Sequence, residues 1–543
     1  MSRTRHAVAP LLTLAFLVGP IELSAQRRGS GWIGIDTGHF ELFSDGSERQ
    51  AQRLAGDLEA FHLFLSELLE VPGAASPLPT SVYLFDTEES FRRALEIERH
   101  TDHATIGVFM QGVDSNVMAL TTSSSRDSND VLYHEYVHYL VRSTMALAPR
   151  WLNEGLAEFF STFERNGDTA IVGRPIPAHQ QWLVGNRVIS TGNLLTGIGV
   201  GIRDTRRGTF YAQSWALVHY LLVSGVETRA QLIAYLERTR RGENASDAFV
   251  AAFGMTPQKM DAALWGYVKK GRFGFYRIPS RVEDLTLESR SLSEAETEVR
   301  LGRMQLHRRS LGIEAAAAHF ERALSLAPED PQALAGLGVV AEIGGRSEEA
   351  RELYARAIAA RPDDPWPWLL HGKSELQRLP RELRFSVAGP MAERLAAVRS
   401  SLGEAIRLEP DHGPAFAALG QSYLLELDRA GSGVGALSRA RSLMGNRTDV
   451  LQNLALLTAA AGATGRAFAL IDQALVQIGS QTSASIARRE LAALELMYVE
   501  RHLSGGEREE ARERFDRLLD YFPKGPPELL VDRFARVEHL LAP

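Results

Sequence analysis

The segment VLYHEYVHYL, residues 131–140, contains two histidines and a glutamate in the pattern H-E-x-x-H. On a helix, residues four apart lie on one face, so His134 and His138 can direct both imidazoles at one ion. Glu135 is rotated by about 100° and can reach a water beside that ion. Roughly 0.05 chance matches are expected at this histidine and glutamate content, so the pattern predicts a metal site, and nitrogen ligands favour zinc.

A catalytic zinc has three protein ligands and an open position for water. The segment PRWLNEGLAEFF, residues 149–160, predicts a second helix after Pro149 that carries Glu154 and Glu158 on one face. Either carboxylate could be the third ligand. Two solvated or core histidines on a helix would be the simpler interpretation of residues 131–140, but it leaves this second segment unexplained.

The order H-E-x-x-H and then W-L-N-E-G resembles the gluzincin metallopeptidases, which include thermolysin and aminopeptidase N. The resemblance is closest to bacterial proteins with a peptidase-MA-like domain. It implies an α+β zincin-like fold, one zinc per chain and Glu154 as the third ligand, with His134 and His138 as the others. It also implies that Glu158 forms a hydrogen bond to a zinc-binding histidine. The two glutamates could exchange these roles.

The same resemblance gives a role to a tyrosine further along the chain. The segment GTFYAQSWALVHYLL, residues 208–222, places Tyr211 at the head of a predicted helix, where aminopeptidase N-like enzymes carry a tyrosine that stabilises the oxyanion. The alternative is that Tyr211 only packs against the zinc-binding helices.

Exopeptidases of this group bind a free N-terminus through a glutamate on a strand before the zinc helix. The corresponding segment SNVMALTTSS, residues 115–124, has no acidic residue, so we expect an endopeptidase. A strand at residues 116–121 is expected at the sheet edge, where it could pair with a substrate backbone.

Strand and helix patterns divide the chain into two halves. Four short apolar or alternating runs predict strands at residues 40–45, 81–86, 107–111 and 116–121, and residues 48–69 predict an amphipathic helix. Beyond residue 294, alanine-rich amphipathic helices replace the strands. We therefore predict an α+β domain over residues 32–285, followed by an all-α region.

The second half contains an internal repeat. PEDPQALAGLG, residues 328–338, recurs as PDDPWPWLLHG, residues 362–372, and Pro328 and Pro362 are 34 residues apart. Small and aromatic residues recur with the same spacing, including Ala350, Tyr354 and Ala357. The pattern resembles tetratricopeptide repeats and implies a solenoid of about five repeats over residues 296–526, with an insertion near 376–400.

The N-terminus predicts export. Residues 1–25 begin with arginines, continue as an apolar run and end in small residues, which is the layout of a signal peptide. An uncleaved N-terminal anchor is the alternative, and no later stretch is apolar enough to span a membrane. The mature protein is expected in the periplasm or secreted.

Composition excludes several classes of function. The 543 residues include no cysteine, which rules out thiolate metal sites and disulfides. The net charge of -7 provides no basic excess for nucleic acid.

Together these features predict an exported zinc metallopeptidase that hydrolyses peptide bonds through a zinc-bound water activated by Glu135, assisted by Tyr211. The repeats would dock a protein partner or the polypeptide substrate. Two alternatives stay open. In one, the zinc only stabilises a scaffold or assembly protein that acts through its repeats. In the other, the enzyme hydrolyses a non-peptide amide.

Overall fold

The computed structural model describes residues 31–542, apart from 69–77, 98–106, 113, 123–126, 146–147, 198–206, 281–286, 309–310, 478–480 and 524. The predicted signal peptide, residues 1–25, lies outside the described residues. None of the described helices combines the length and apolar character needed to cross a bilayer.

The N-terminal half contains two sheets. The larger is mixed, with strand order β4-β5-β3-β2-β1-β9, and the smaller is antiparallel, with order β6-β7-β8. The strands are β1 Ile33–Asp36, β2 Phe40–Ser44, β3 Thr80–Phe85, β4 Gly107–Gln111, β5 Asn116–Thr121, β6 Glu164–Asn166, β7 Thr169–Val172, β8 Tyr276–Pro279 and β9 Ser289–Ser291.

Four strands lie where the apolar runs predicted them, but the edge of the large sheet was assigned to the wrong strand. β2, β3 and β5 are parallel neighbours, and β4 pairs antiparallel with β5. Asn116–Thr121 is therefore an inner strand with six buried residues, and Gly107–Gln111 is the edge strand among those described. Residues 107–111 are half-buried or exposed, which an edge position explains.

Ten helices are described between these strands, and three of them carry the candidate site residues introduced above. Their bounds are α1 Glu48–Leu68, α2 Glu88–Ala94, α3 Asp127–Thr144, α4 Arg150–Ser161, α5 Pro177–Gly185, α6 Thr191–Thr196, α7 Arg207–Val223, α8 Val226–Arg240, α9 Ala245–Phe253 and α10 Pro257–Lys270.

The two faces of the large sheet are covered by different helices. Alternate residues of a strand point to opposite faces, and in β3 Val82 belongs to the cluster formed with α1, α3 and α4. Its neighbour Tyr83 belongs to the opposite cluster, which includes Phe91 of α2 and Met304 of the C-terminal half. Both faces are therefore buried, and α3 is held between the sheet and α4.

The C-terminal half is a row of helices. Within the described residues, six antiparallel pairs are followed by a last helix, α23. The pairs are α11 Glu294–Leu306 with α12 Ile313–Leu326, α13 Pro331–Ile343 with α14 Ser347–Ala360, α15 Pro365–Gln377 with α16 Pro390–Leu408, α17 Gly413–Ser422 with α18 Ala430–Met444, α19 Thr448–Ala460 with α20 Thr464–Gln477, and α21 Gln481–Gly505 with α22 Arg508–Tyr521; α23 is Val531–Leu541.

The sequence predicted about five repeats with an insertion near residues 376–400. The structure has non-helical residues only at 378–389 in this region, and α16 begins at Pro390. This non-helical stretch lies within the range 376–400, and Pro390 takes the first position of α16, where proline is favoured.

The repeated P-x-D-P segments start helices. Asp330 caps α13 by accepting a hydrogen bond from Ala333 N at 2.9 Å, and Pro331 takes the first helical position, where no intrahelical N–H is needed. Asp364 and Pro365 play the same parts for α15. The 34-residue recurrence is therefore a recurrence of helix starts.

Small residues and aromatic rings hold each pair together. Ala350 and Ala357 of α14 are fully buried, and Tyr354 between them is 2% exposed. A Cβ added at Gly338 of α13 would overlap the ring of Tyr354. The glycine lets the two helices approach and the ring fills the space beside it, which explains why small and aromatic residues recur along the array.

The array is attached to the sheet domain. α11 packs on the face of the large sheet to which Tyr83 belongs. Tyr83 Oη donates a hydrogen bond to the carbonyl oxygen of Arg300 at 2.6 Å. The turn between β4 and β5 contacts the array twice: Asp114 Oδ2 lies 2.5 Å from Lys373 Nζ, and His307 Nε2 lies 3.1 Å from the carbonyl oxygen of Ser115. Lys373 on α15 and His307, which directly follows α11, therefore hold this turn.

We expect the Lys373→Met substitution to loosen the β4–β5 turn. The Asp114 and Lys373 side chains are only about a quarter exposed, at 25% and 24%, so loss of one partner leaves a partly buried charge. A loss of about 1–2 kcal/mol should speed amide hydrogen exchange in β4 and β5 about 5–30-fold, as measured by mass spectrometry. The matched control is Arg93→Met, because the Arg93–Glu89 pair is exposed. Unchanged exchange in the first variant would show that the turn is held without this pair.

Candidate metal centre

The site lies where α3 and α4 pack against each other. His134, Glu135 and His138 are on α3, and Glu154 and Glu158 are on α4. Neighbouring residues of α3 pack into the core: Tyr133 and Tyr136 are 2% and 0% exposed. Pro149 directly precedes α4, which begins at Arg150 and packs against α3.

Three of the predicted residues converge on one point. His134 Nε2 and His138 Nε2 are 3.1 Å apart, and Glu154 Oε2 lies 3.3 Å from His138 Nε2 and 3.8 Å from His134 Nε2. In a tetrahedral zinc site the ligand atoms are about 3.4 Å apart. A point equidistant from these three atoms is about 2.0 Å from each, which is a zinc–nitrogen bond length.

The partners of these atoms also fit a cation. Glu154 Oε2 is buried and has no hydrogen-bond donor among the described residues. His138 Nδ1 lies 3.1 Å from Asn153 Oδ1, and an amide oxygen only accepts, so the proton belongs on Nδ1. The Nε2 lone pair of His138 then faces the common point. Two imidazole nitrogens and a carboxylate oxygen suit zinc better than magnesium or calcium.

The pKa values of the two histidines are shifted in opposite directions. Burial lowers the pKa of His134, although the Glu158 carboxylate opposes this shift, so the imidazole is neutral and keeps a lone pair to donate. Burial alone would lower the pKa of His138, but contacts with the Glu154 carboxylate and Asn153 outweigh it and raise that pKa. A field that favours a proton on His138 also favours a metal cation between the two rings.

Glu158 lies behind His134 and not at the common point. Its Oε1 is 3.8 Å from His134 Nδ1, and its Oε2 is 3.0 Å from Nε2 of His179 on α5. Burial alone would raise the pKa of Glu158, but the hydrogen bond from His179 and the nearby histidines lower it, so the carboxylate stays ionised. Of the two glutamates, the geometry places Glu154 with the histidines.

The two predicted catalytic side chains lie beside these ligands. Glu135 is half-buried, and its charge acts on both His134 and His138. Tyr211, near the start of α7, is half-buried, with its ring centroid 6.4 Å from that of His134 and nearly parallel to it. A tyrosine at this position can both pack on the histidine ring and reach into the site.

Gly155 explains how α7 comes close enough to bring Tyr211 into the site. A Cβ at Gly155 would overlap the carbonyl oxygen of Ser214 and the side chain of Val218, both on α7. α4 and α7 can therefore cross closely only at a residue without a side chain. The glycine of the W-L-N-E-G segment is a packing requirement of the site.

We expect Gly155→Ala to destabilise the sheet domain by about 1–3 kcal/mol, because the added methyl group forces α4 and α7 apart. The measurement is the thermal unfolding midpoint, followed by circular dichroism. Gly266→Ala on α10 is the matched control, since no atom lies within 4 Å of its added Cβ, and there alanine should be neutral or stabilising. An equal response in both variants would contradict this account of Gly155.

Sequence reasoning missed two residues of the site. Asn153 directly precedes Glu154, and its spacing of 15 residues from His138 was a usable signal. His179 had none, since its segment PIPAHQQW shows no pattern that points to α4. His219 on α7 is buried outside the site, where it contacts Tyr267 Oη at 2.7 Å and the carbonyl oxygen of Gly173 at 2.9 Å.

Comparison with known proteins identifies the repeats. Residues 301–365 match the tetratricopeptide repeat family. This segment includes the α13–α14 pair and parts of its neighbours, so the array contains tetratricopeptide repeats. A comparison with curated proteins gives no match.

Several solved structures are similar to part of the chain. A thermophilic tetratricopeptide protein of Thermus thermophilus is 24% identical, covers 37% of this chain and 98% of its own, and has a TM-score of 0.29. PilF of Pseudomonas aeruginosa is 19% identical, with coverages of 45% and 97% and a TM-score of 0.32. PilW, a type IV pilus biogenesis factor, is 16% identical, with coverages of 44% and 99% and a TM-score of 0.32.

The family match alone supports a repeat array that binds a protein partner, and it supports the scaffold interpretation better than the peptidase interpretation. Residues 301–365 therefore belong to a tetratricopeptide repeat array.

Proposed function

We propose that the protein is a zinc-dependent hydrolase that cleaves peptide bonds and carries a repeat array for a protein partner or the polypeptide substrate. One observation supports the zinc site above all: His134 Nε2, His138 Nε2 and Glu154 Oε2 lie within 3.8 Å of one another, with Glu135 on the same helix as the two histidines. A site that only stabilised the fold would need no such additional carboxylate.

Each side chain has a defined task in this proposal. Zinc, when bound, supplies a Lewis acid that lowers the pKa of water to about 7. His134, His138 and Glu154 hold the ion. The Glu135 carboxylate accepts a proton from the attacking water and passes it to the leaving amine. Tyr211 donates a hydrogen bond to the substrate carbonyl oxygen as negative charge develops there.

The edge strand favours an endopeptidase. An exopeptidase that binds a free amino terminus needs a carboxylate next to the substrate backbone. Gly107–Gln111, the edge strand of the large sheet among the described strands, has no acidic residue, and neither does the next strand, Asn116–Thr121. The proposed substrate is therefore an internal stretch of a polypeptide. The N-terminal segment supports action outside the cytoplasm, in the periplasm or after secretion.

The second candidate is a scaffold or assembly protein in which zinc only joins α3 to α4. The match of residues 301–365 to the tetratricopeptide repeat favours it, because such arrays present surfaces to protein partners. The array takes part in both proposals, so the difference between them lies in whether Glu135 acts as a base.

The test is hydrolysis of a proteome-derived peptide library by the full chain loaded with one equivalent of zinc, with products identified by mass spectrometry. Internal cleavage that stops with 1,10-phenanthroline and returns when zinc is added supports the hydrolase. A chain that binds one zinc, cleaves no peptide and captures a partner through its repeats supports the scaffold.

A further inference from the structure

The imidazole of His179 touches the zinc site from a third helix. α5 begins at Pro177, and His179 reaches across to α4, where its Nε2 lies 3.0 Å from Oε2 of Glu158. The His179 side chain is 19% exposed, and its ring lies 5.7 Å from that of Trp215 on α7. His179 therefore has one clear polar partner, Glu158, and an aromatic neighbour that limits the orientations of its ring.

Glu158 connects His179 to a proposed ligand. The two carboxylate oxygens of Glu158 face different histidines: Oε2 faces His179, and Oε1 lies 3.8 Å from His134 Nδ1. A carboxylate on a helix can rotate about its side-chain bonds, and a hydrogen bond to one oxygen fixes the direction of the other. The donor on His179 thus points Oε1 at the back of His134. A negative oxygen there favours a proton on Nδ1 and leaves the Nε2 lone pair for an ion.

α5 does not depend on His179 for its position. Leu183 of the same helix is 2% exposed, and Gln180 Nε2 donates a hydrogen bond to the carbonyl oxygen of Val268 on α10 at 3.1 Å. The imidazole can therefore be removed while α5 stays in place. This separates a role in the site from a role in folding.

We infer that His179 is a positioning residue of the metal centre, which acts through Glu158 to orient His134. The inference rests on the proposed zinc site and adds to it a residue of α5 that does not contact the metal. Residues that hydrogen-bond to metal ligands commonly change metal affinity 10–100-fold when they are removed. Because His179 acts one residue further out, we expect an effect toward the lower end, about 10-fold.

The test measures the zinc affinity of the full chain by competition with a chromophoric chelator. His179→Ala should weaken zinc binding about 10-fold. His179→Gln should retain most of the affinity, because the glutamine Nε2 can donate to Glu158 from a similar distance. Gln181→Ala, at an exposed position of the same helix, is the matched control and should bind like wild type. The unfolding midpoint of the zinc-free protein should be the same in all three variants.

The route through Glu158 has its own test. Glu158→Gln should also weaken zinc binding, and adding His179→Ala to that variant should cause little further loss, because residues that act in one chain are not additive. Full additivity would overturn the inference, as would wild-type affinity in His179→Ala. The inference would also be overturned if His179→Ala lowered both the zinc affinity and the unfolding midpoint of the zinc-free protein, and His179→Gln did not restore the affinity. If wild type itself binds no zinc, the proposed function fails instead, so the two failures are distinguishable.

Discussion

The Glu135→Gln variant should keep its zinc and lose at least about 100-fold in the rate of peptide hydrolysis. Glutamine has the size and hydrogen-bonding capacity of glutamate but cannot accept a proton from water at neutral pH, and positioned general bases contribute about 10²–10⁴-fold. Glu135 is not one of the three residues whose ligand atoms converge, so the variant should still bind zinc. The measurements are zinc content by elemental analysis and kcat/KM on a peptide that wild type cleaves.

The matched control is Glu227→Gln, the same chemical change at an exposed position on α8. It should hydrolyse like wild type. Partner binding by the array should be unaffected in both variants, because the repeats do not depend on proton transfer at Glu135. Wild-type rates in Glu135→Gln would show that another group is the base or that the measured activity belongs to a contaminant.

The His138→Ala variant should lose most of its zinc. Its Nε2 is the atom closest to both other ligands, at 3.1 Å from His134 Nε2 and 3.3 Å from Glu154 Oε2, so its removal leaves a two-ligand site. The loss should exceed the 10–100-fold that follows removal of a residue behind a ligand. The measurement is zinc content after dialysis against a weak chelator. His539→Ala, at an exposed position of α23, is the control.

The same measurement decides between the two glutamates. Glu154→Ala should lose zinc as His138→Ala does, because Oε2 of Glu154 belongs to the convergent triangle. Glu158→Ala should weaken binding but keep a three-ligand site. If the two variants respond in the opposite order, the ligand roles are exchanged. Full metal retention in His138→Ala would refute the whole assignment.

Local periodicity explains why part of this protein could be predicted from sequence. The four-residue spacing of His134 and His138 fixes their common face on any helix, so their convergence needed no tertiary information. The 34-residue spacing of Pro328 and Pro362 likewise indicated a repeat, and the structure shows that both segments start helices. The four predicted strands of the large sheet were visible because their apolar runs are short and bounded.

Other features depend on contacts between residues far apart in the chain. The pattern of apolar residues could not show whether residues 107–111 or 116–121 form the sheet edge, since both segments are short and apolar. The structure shows that β5 pairs with β3 on one side and β4 on the other, so β4 is the edge strand among those described. The strand β9, Ser289–Ser291, has no apolar pattern and exists because it pairs with β1. The six described helix pairs include one, α21–α22, whose first helix has 25 residues and departs from the repeat pattern.

The sequence by itself determined the candidate ligands and the repeat architecture, because each depends on spacing within one or two neighbouring helices. Only the tertiary structure placed Glu154 in the triangle, put Glu158 behind His134 and brought His179 to Glu158. Which faces of α3, α4, α5 and α7 meet depends on side-chain volume at their crossings, as Gly155 demonstrates. A spacing rule describes the direction of a side chain on its own helix, whereas the partner that it meets is determined by packing.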